Sequence, residues 1–495
     1  MKKYVSLFIF TLLLYTLVPT VAAEKVTIDS DVLKKILEKQ KTLEKKVKAL
    51  ENQPSTGKSS KTIKYLQEDV EDITERLDQV ETKSILDRVT IGGEFRTRVE
   101  AFHYDDYADP LTGKKTNHDI DEIFSSRLRL NLKAKIAENI TFHGRLTYFK
   151  LWGNSDFATA AQDTSYPSVP DSEGDLHVER AYIDWFIPQT PFSITFGRVP
   201  TSEGPPNELR ENTTRKGTWP KLVVDGEIDA IFVNTSLDKW TGLTNSVFRV
   251  VYAHLYQNNA RQTGLDLDDG FSPTFAFETE IPGIKDSLFW ISYVKVENMP
   301  PLTQKVIPAS FPFAAQSTPD DAGHLDLFNL HLQFNNINNS GLDLFLSGAY
   351  IEFSPRSEGT VFSTPAGFEV GVYGDNLNNN LGDDREGHAI FAGLSYQLPI
   401  ESIYAPKIGF EYNYGSKYWS GFLSDGGGDM INKLGTNGDA YELYYIQPVD
   451  EKHLFFRAGA VYMDFDYNNP MFIYGSQQKS DMSITNFYLL ADVRF

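Results

Sequence analysis

Phe124-Ser125-Ser126-Arg127-Leu128-Arg129-Leu130-Asn131-Leu132-Lys133-Ala134-Lys135-Ile136 is the stretch whose reading decides the fold. Ser125, Arg127, Arg129, Asn131, Lys133 and Lys135 alternate with Phe124, Leu128, Leu130, Leu132 and Ile136, the period of two of a strand with one wet and one apolar face. In a membrane barrel, slipping this strand by one residue would turn its basic side chains into lipid, at ~2–4 kcal/mol each near the midplane, so its register is strongly specified. The preceding strand repeats the pattern: Thr90, Gly92, Glu94, Arg96 and Arg98 alternate with Val89, Ile91, Phe95 and Val99. A soluble β-sandwich would show the same alternation around an apolar core, so the period alone does not settle the class.

The spacing between strands carries the reading further. Strands are expected at 88–103, 122–136, 139–152, 175–188, 191–199, 228–236, 244–257, 271–281, 287–297, 323–336, 341–352, 386–398, 403–416, 438–448, 452–466 and 483–495, about sixteen in all. Their connections alternate: Glu138-Asn139, Gln189-Thr190, Gly283 to Asp286, Ile337 to Ser340 and Val449 to Lys452 are tight, and the intervening ones are long. Short turns on one side and long loops on the other predict an all-β transmembrane barrel of antiparallel strands, with both termini in the periplasm. Aromatic residues near strand ends are expected at the membrane interfaces, among them Tyr148, Trp152, Trp185, Phe186, Phe289, Trp290, Tyr412, Tyr414, Tyr418 and Trp419. The last strand ends on Phe495, and a terminal aromatic there resembles the signal that delivers such proteins to the barrel-assembly machinery.

The start of the chain is different in kind. Lys2 and Lys3 precede an apolar run from Val5 to Val18, and Val21-Ala22-Ala23 offers small residues for cleavage, so 1–23 reads as a secretory signal peptide. In 24–84, Leu33, Ile36, Gln40, Leu43, Val47 and Leu50, and then Ile63, Leu66, Val70, Ile73, Leu77 and Val80, follow the spacing of a short α-helical coiled coil. It is expected in the periplasm, ahead of a barrel at 88–495 in the cell outer membrane. An amphipathic helix pair lying on its own barrel has the same pattern.

Composition narrows the function classes. The 495 residues include no cysteine, which excludes disulfides, iron–sulfur clusters, thiolate zinc sites and covalently held c-type haem. A net charge of −20 argues against nucleic acid as a partner. The nine histidines form no His-Glu-x-x-His or comparable metal pair. The Asp- and Gly-rich loops near 265–270, 375–384 and 425–439 lack EF-hand spacing and read as solvated loops. No nucleophile setting stands out, so neither catalytic residue, metal nor cofactor is expected.

Between two of the strands lies the charged stretch 197–227. Pro200, Pro205, Pro206 and Pro220 remove backbone donors, so it is a long shaped loop, third among the long connections. Arg198, Glu203, Glu208, Arg210, Glu211, Arg215 and Lys216 are the residues expected to line or brace a pore constriction there. Arg96, Arg98, Arg127, Arg129, Lys133, Lys135, Arg145 and Arg180 are expected on the pore wall. A basic wall opposite a mixed-charge loop predicts a transverse field and a mild preference for anions; the same residues could instead form wall salt bridges.

Gly197-Arg198-Val199-Pro200 with Gly204-Pro205, followed by Leu209-Arg210-Glu211-Asn212, Arg215-Lys216 and Asp225-Gly226, resembles the motif of a largely uncharacterised family of predicted Gram-negative outer-membrane proteins of porin type. The resemblance implies an inward-folded third loop and a homotrimer in outer-membrane lipid. The resulting expectation is a passive channel for small polar solutes or ions. A structural or surface-interaction barrel, blocked by its loop and tethered through its coiled coil, is the alternative, as is a sheath for an electron-transfer partner.

Overall fold

The computed structural model describes residues 88–108, 114–152, 176–257, 268–299, 321, 323–355, 360–363, 369–372, 384–421, 429–450, 453–468 and 478–495. The expected signal peptide and coiled coil lie outside the described residues. The strands are β1 (Val89–Ala108), β2 (Lys115–Ala137), β3 (Ile140–Leu151), β4 (Leu176–Phe186), β5 (Phe192–Pro200), β6 (Glu227–Ser236), β7 (Val247–Tyr256), β8 (Gly270–Thr279), β9 (Ser287–Val296), β10 (Gly323–Phe334) and β11 (Leu342–Pro355). A small ribbon of β12 (Thr360–Ser363) and β13 (Glu369–Val372) follows, then β14 (Arg385–Gln397), β15 (Lys407–Gly415), β16 (Gly438–Pro448) and β17 (Leu454–Phe465). A second ribbon, β18 (Tyr467–Asn468) and β19 (Gln478–Lys479), precedes β20 (Ser483–Arg494).

Leaving out the two ribbons, sixteen strands pair antiparallel with their sequence neighbours and close into one barrel through β20 and β1. The closing seam runs from Glu94↔Arg494 to Asp105↔Ser483. The backbone N–H of Gly93 donates to Phe495 O at 2.8 Å and that of Phe495 to Gly93 O at 3.0 Å, so the terminal aromatic is itself part of the seam. Closure leaves no open edge, which is what a sheet in lipid requires.

The sixteen expected strands and their order are those observed. β1 and β2 run further than the lipid alternation suggests, to Ala108 and back to Lys115, because paired strands extend beyond the barrel's apolar band. The ribbons carried no period long enough to read. Residues such as Ile91, Phe196, Ile291, Leu346, Leu443 and Phe487 are exposed on the outer face. Two residues assigned to interfacial girdles, Trp290 and Trp419, are instead buried at 0% and 2% exposure. Each belongs to the lumen: Trp290 follows outward Phe289 by one residue, so the pleat turns it inward.

The lumen is packed in two styles. From β6 to β14 its wall is mainly apolar, with Phe232, Val251, Trp290, Leu327, Phe345 and Phe391 in one cluster that takes in the third loop, and with Arg249, Glu278, His331 and Gln333 buried among them. From β15 round to β4 buried charges, Glu94, Arg96, Arg127, Arg129, Arg145, Glu179, Arg180, Glu442, Arg457 and Asp492, stand beside a second apolar cluster that includes Tyr444, Phe455, Met463 and Ile484.

Candidate functional site

The third loop leaves the wall at a glycine. Gly197 sits at φ 122°, and a Cβ there would meet Ala181 O at 2.4 Å, so only glycine lets β5 bend at this point. Val199, fully buried, already faces the lumen. The two limbs of the loop then run back on each other: Thr201 N–H donates to Gly226 O at 3.1 Å, Gly217 N–H to Glu203 O at 3.1 Å and Lys221 N–H to Pro205 O at 2.9 Å. Asp225 accepts from the Glu203 N–H at 3.1 Å and stands 3.5 Å from Lys221 Nζ. At the turn is a one-turn helix, α1 (Asn207–Arg210), buried throughout.

One side of this doubled limb is apolar. Leu209, Trp219, Leu222, Val223 and Val224 join the wall cluster, and the Trp219 ring stands edge-on to Trp290 with centroids 5.0 Å apart. Burying such side chains contributes roughly 1.5–3 kcal/mol each, so the loop is held as a core element is.

The other side is ion-paired, and it is pinned at both ends. Towards β2–β4, Glu203 accepts from Arg180 at 2.6 Å, Arg145 at 2.7 Å and Arg129 at 3.2 Å. A bulge in β4 opposite Arg145 and Leu146 puts the adjacent Glu179 and Arg180 both into this grid. Glu179 accepts from Arg129 at 2.6 Å, and Glu94 from Arg127 at 2.6 Å. Further round the same arc of wall, Arg210 donates to Glu442 on β16 at 2.7 Å, and Glu211 accepts from Arg457 on β17 at 2.8 Å and from Arg96 on β1. Arg494 on β20 donates to Glu211 O at 2.6 Å. Glu208 accepts from Gln333 on β10 at 2.8 Å, and Arg215 reaches Glu278 on β8 at 3.3 Å. A second inward piece, from the connection between β15 and β16, meets the loop: Asp429 lies 2.6 Å from Arg210 and also pairs with Arg98, while Lys433 joins Glu411 and Glu442.

Of the residues expected at a constriction, Glu203, Glu208, Arg210 and Glu211 are therefore buried pins. Arg215 and Lys216, with side chains 34% and 27% exposed, form the accessible tip, Lys216 standing 3.2 Å from Glu94. Arg198 is corrected: it shares the outer face with Phe192 and Phe196 and pairs with Asp229 at 3.4 Å, because the loop turns inward only after it. Arg96, Arg98, Arg127, Arg129, Arg145 and Arg180 are lumenal, buried and paired, whereas Lys133 and Lys135 stand exposed towards the short-turn end of β2. The basic wall is not opposed only by the loop, since Glu94 and Glu179 neutralise it from within. Glu442, Arg457 and Asp492 were legible in principle, as charges at inward positions of apolar strands; Asp429, in a Gly/Asp loop, left no such signal.

Charge states follow from this packing. Burial pushes the Glu203 carboxyl up, but Arg145, Arg129, Arg180 and Lys216 outweigh it and hold it well below the usual range. Burial acts likewise on Glu211, and Arg457, Arg96 and Arg210 reverse it. Glu208 goes the other way: burial raises it, and the hydrogen bond from Gln333 offsets this only in part. A carboxyl depressed in the folded state stabilises above its unfolded pKa and loses that contribution only as pH falls through the folded value. The loop is therefore expected to stay pinned from pH 8 down to about 4, the unfolded carboxylate value. Reactivity of a single cysteine placed at the buried Ser202, corrected for the thiolate fraction at each pH, checks this; labelling that rises already near pH 6 would contradict it. Glu208→Gln is expected to lower labelling at neutral pH, since it removes a buried charge whose penalty grows as pH rises.

A closed sixteen-stranded antiparallel barrel with an apolar exterior and an inward third loop is a porin-like outer-membrane barrel. Residues 117–493 match the family described as "protein of unknown function (DUF3373)", and the chain belongs to that family. Among solved structures it is similar to OprB of Pseudomonas putida at high pH, at 13% identity over 83% of this chain and 96% of that one, TM-score 0.47. It is also similar to Salmonella typhi OmpF in complex with daunomycin, at 12% identity over 82% and 97%, TM-score 0.45. The anion-selective porin from Comamonas acidovorans is similar at 12% identity over 82% and 99%, TM-score 0.43. No curated protein matches the chain.

Proposed function

We propose that this protein is an outer-membrane channel, not an enzyme, for small hydrophilic solutes or ions, and that its third loop holds it closed at rest. One observation carries the reading: the loop is braced across the lumen, by Glu203 to β2–β4 and by Glu208 to β10, which stands opposite β2 in the closed ring, while Arg210 and Glu211 hold its turn to β16, β17 and β1. A loop lying along one wall leaves an eyelet beside it; a crosspiece fixed on opposite walls divides the lumen. Matched ion pairs suit a gate, since they hold the crosspiece in one position yet can be exchanged for water when it moves. Passage then follows displacement of the loop, along the charged side of the lumen.

The test is single-channel recording of the refolded full chain in a planar bilayer, with folding checked by heat-modifiable migration. Wild-type insertions are expected to be almost silent, and Arg210→Ala/Glu211→Gln to open in steps, with the reversal potential in a salt gradient giving the ion preference. Large, steady wild-type conductance unaffected by that double variant would replace the closed channel with an open diffusion pore.

A further inference from the structure

Among the carboxylates that brace the third loop, Glu208 differs from the rest. Glu203 faces Arg129, Arg145 and Arg180, and Glu211 faces Arg96 and Arg457. Glu208 is 9% exposed, yet among the described residues no ion pair reaches it and its Oε2 has no hydrogen-bond partner. A buried carboxylate is retained where it is paired or coordinates a metal. The groups around it are oxygens. The Gln333 amide, whose Oε1 lies 3.2 Å from His331 Nε2, donates through one nitrogen to Glu208 Oε1 and to Asn335 Oδ1, both at 2.8 Å, so these two oxygens converge. Asp343 on β11 continues the inward series of Ser347 and Phe345, and its charge bears on Glu208. Its Oδ1 accepts from the Asn336 N–H at 2.8 Å, and among the described residues it too has no ion pair. Ser395, its cross-strand partner on β14, is fully buried with an unpartnered hydroxyl. The basic side chains that act here do so from a distance: Arg215 is held by Glu278 at 3.3 Å, and Lys407 faces Asp343 from β15 without an ion pair.

We propose that Glu208, Asn335 and Asp343 form a site for a hard divalent cation, calcium, that ties the turn of the third loop to β10 and β11. Two carboxylates, an amide carbonyl and a nearby hydroxyl are an all-oxygen donor set, with neither sulfur nor imidazole in contact with the carboxylate, which suits calcium rather than a transition metal. Asn335 and Asp343 are half-buried at the short-turn end, so the ion enters from that side and keeps water in its remaining positions. With only two charged ligands, half-saturation is expected on the order of 0.1–1 mM. On the reading that the third loop holds the channel closed, calcium is its lock. Glu208 makes the contact with the wall opposite β2, so an ion there acts on the span that divides the lumen, and its loss leaves a bare buried charge that pushes the loop off β10.

The full chain, refolded in detergent, checked by heat-modifiable migration and freed of metal with chelator, is titrated with calcium chloride by calorimetry. Glu208→Gln and Asp343→Asn are each expected to bind one calcium fewer than wild type, whatever the acidic surface loops bind. Cleavage within residues 207–217, by a protease that does not itself need calcium, is followed in parallel. In chelator, Glu208→Gln is expected to be cut more slowly than wild type, since it carries no buried charge. Calcium at ten times its dissociation constant is expected to slow cutting of wild type about ten-fold, the factor for a ligand that binds only the pinned loop, and to leave Glu208→Gln unchanged. Equal stoichiometry in wild type and both variants, or cutting of wild type that calcium does not slow, would overturn the proposal. So would cutting that slows only as pH falls, which would assign Glu208 to a proton instead. Calcium that binds and slows cutting while single-channel conductance stays high would leave the site standing and overturn the closed channel.

Discussion

Glu203→Gln is expected to free the third loop from the wall of β2–β4 and to open the barrel. Its carboxylate is the common acceptor of Arg129, Arg145 and Arg180 and lies 3.7 Å from Lys216. Glutamine has the same shape, so the change isolates charge: four cations then share a buried site with only Glu94, Glu179 and Glu227 to balance them. Removing one member of a buried ion network costs on the order of 3–5 kcal/mol, because the remaining charges are left uncompensated. The barrel's own ladders do not depend on Glu203, so this cost is expected to fall on the loop. Proteolysis within residues 207–217 should accelerate while heat-modifiable migration is retained, and channel steps should appear. A variant as protease-resistant as wild type would show that the apolar side of the loop holds it unaided. Arg145→Met added to Glu203→Gln should recover part of the loss, since it removes one of the stranded cations.

Gly204→Ala is expected to be as damaging for a steric reason. A Cβ at Gly204 would lie 1.8 Å from Trp219 O and 2.7 Å from its carbonyl carbon, and opposite it a Cβ at Gly217 would lie 2.3 Å from Ser202 O. The limbs cross where neither has a side chain, and both obstacles are backbone. Trp219 is held against Trp290 and is 3% exposed, so it has nowhere to retreat. The expected cost is at or above the ~3 kcal/mol upper end of ordinary overpacking. Gly348→Ala is the control, because a Cβ there meets nothing within 4 Å. Thermal unfolding of the loop, read by tryptophan fluorescence of the Trp219–Trp290 pair, should shift for Gly204→Ala and not for Gly348→Ala. Equal shifts would mean that the crossing relaxes more readily than its geometry indicates.

The lipid-facing strands are local facts of the chain. Each strand states its own register by alternation, each tight turn states that its two strands are neighbours, and together these determine the sixteen strands, their order and the sidedness of the loops. Even the departure of the third loop is local, because Gly197 and four prolines mark it. What the loop does is not local. Arg457 and Glu211 are 246 positions apart, and Arg210 and Glu442 are 232 apart. No period or spacing joins such partners, since each is only a charge at an inward position until closure brings strands distant in the chain within reach of one loop. The face of Arg198 was misread for a related reason: the charge belongs to the motif, but only the pleat of β5 and the point where the chain turns inward decide that it meets Asp229 on the outside. Alternation, being a property of neighbours, determined the barrel; occupancy of its lumen, a property of residues far apart in the chain, was decided by the tertiary structure alone.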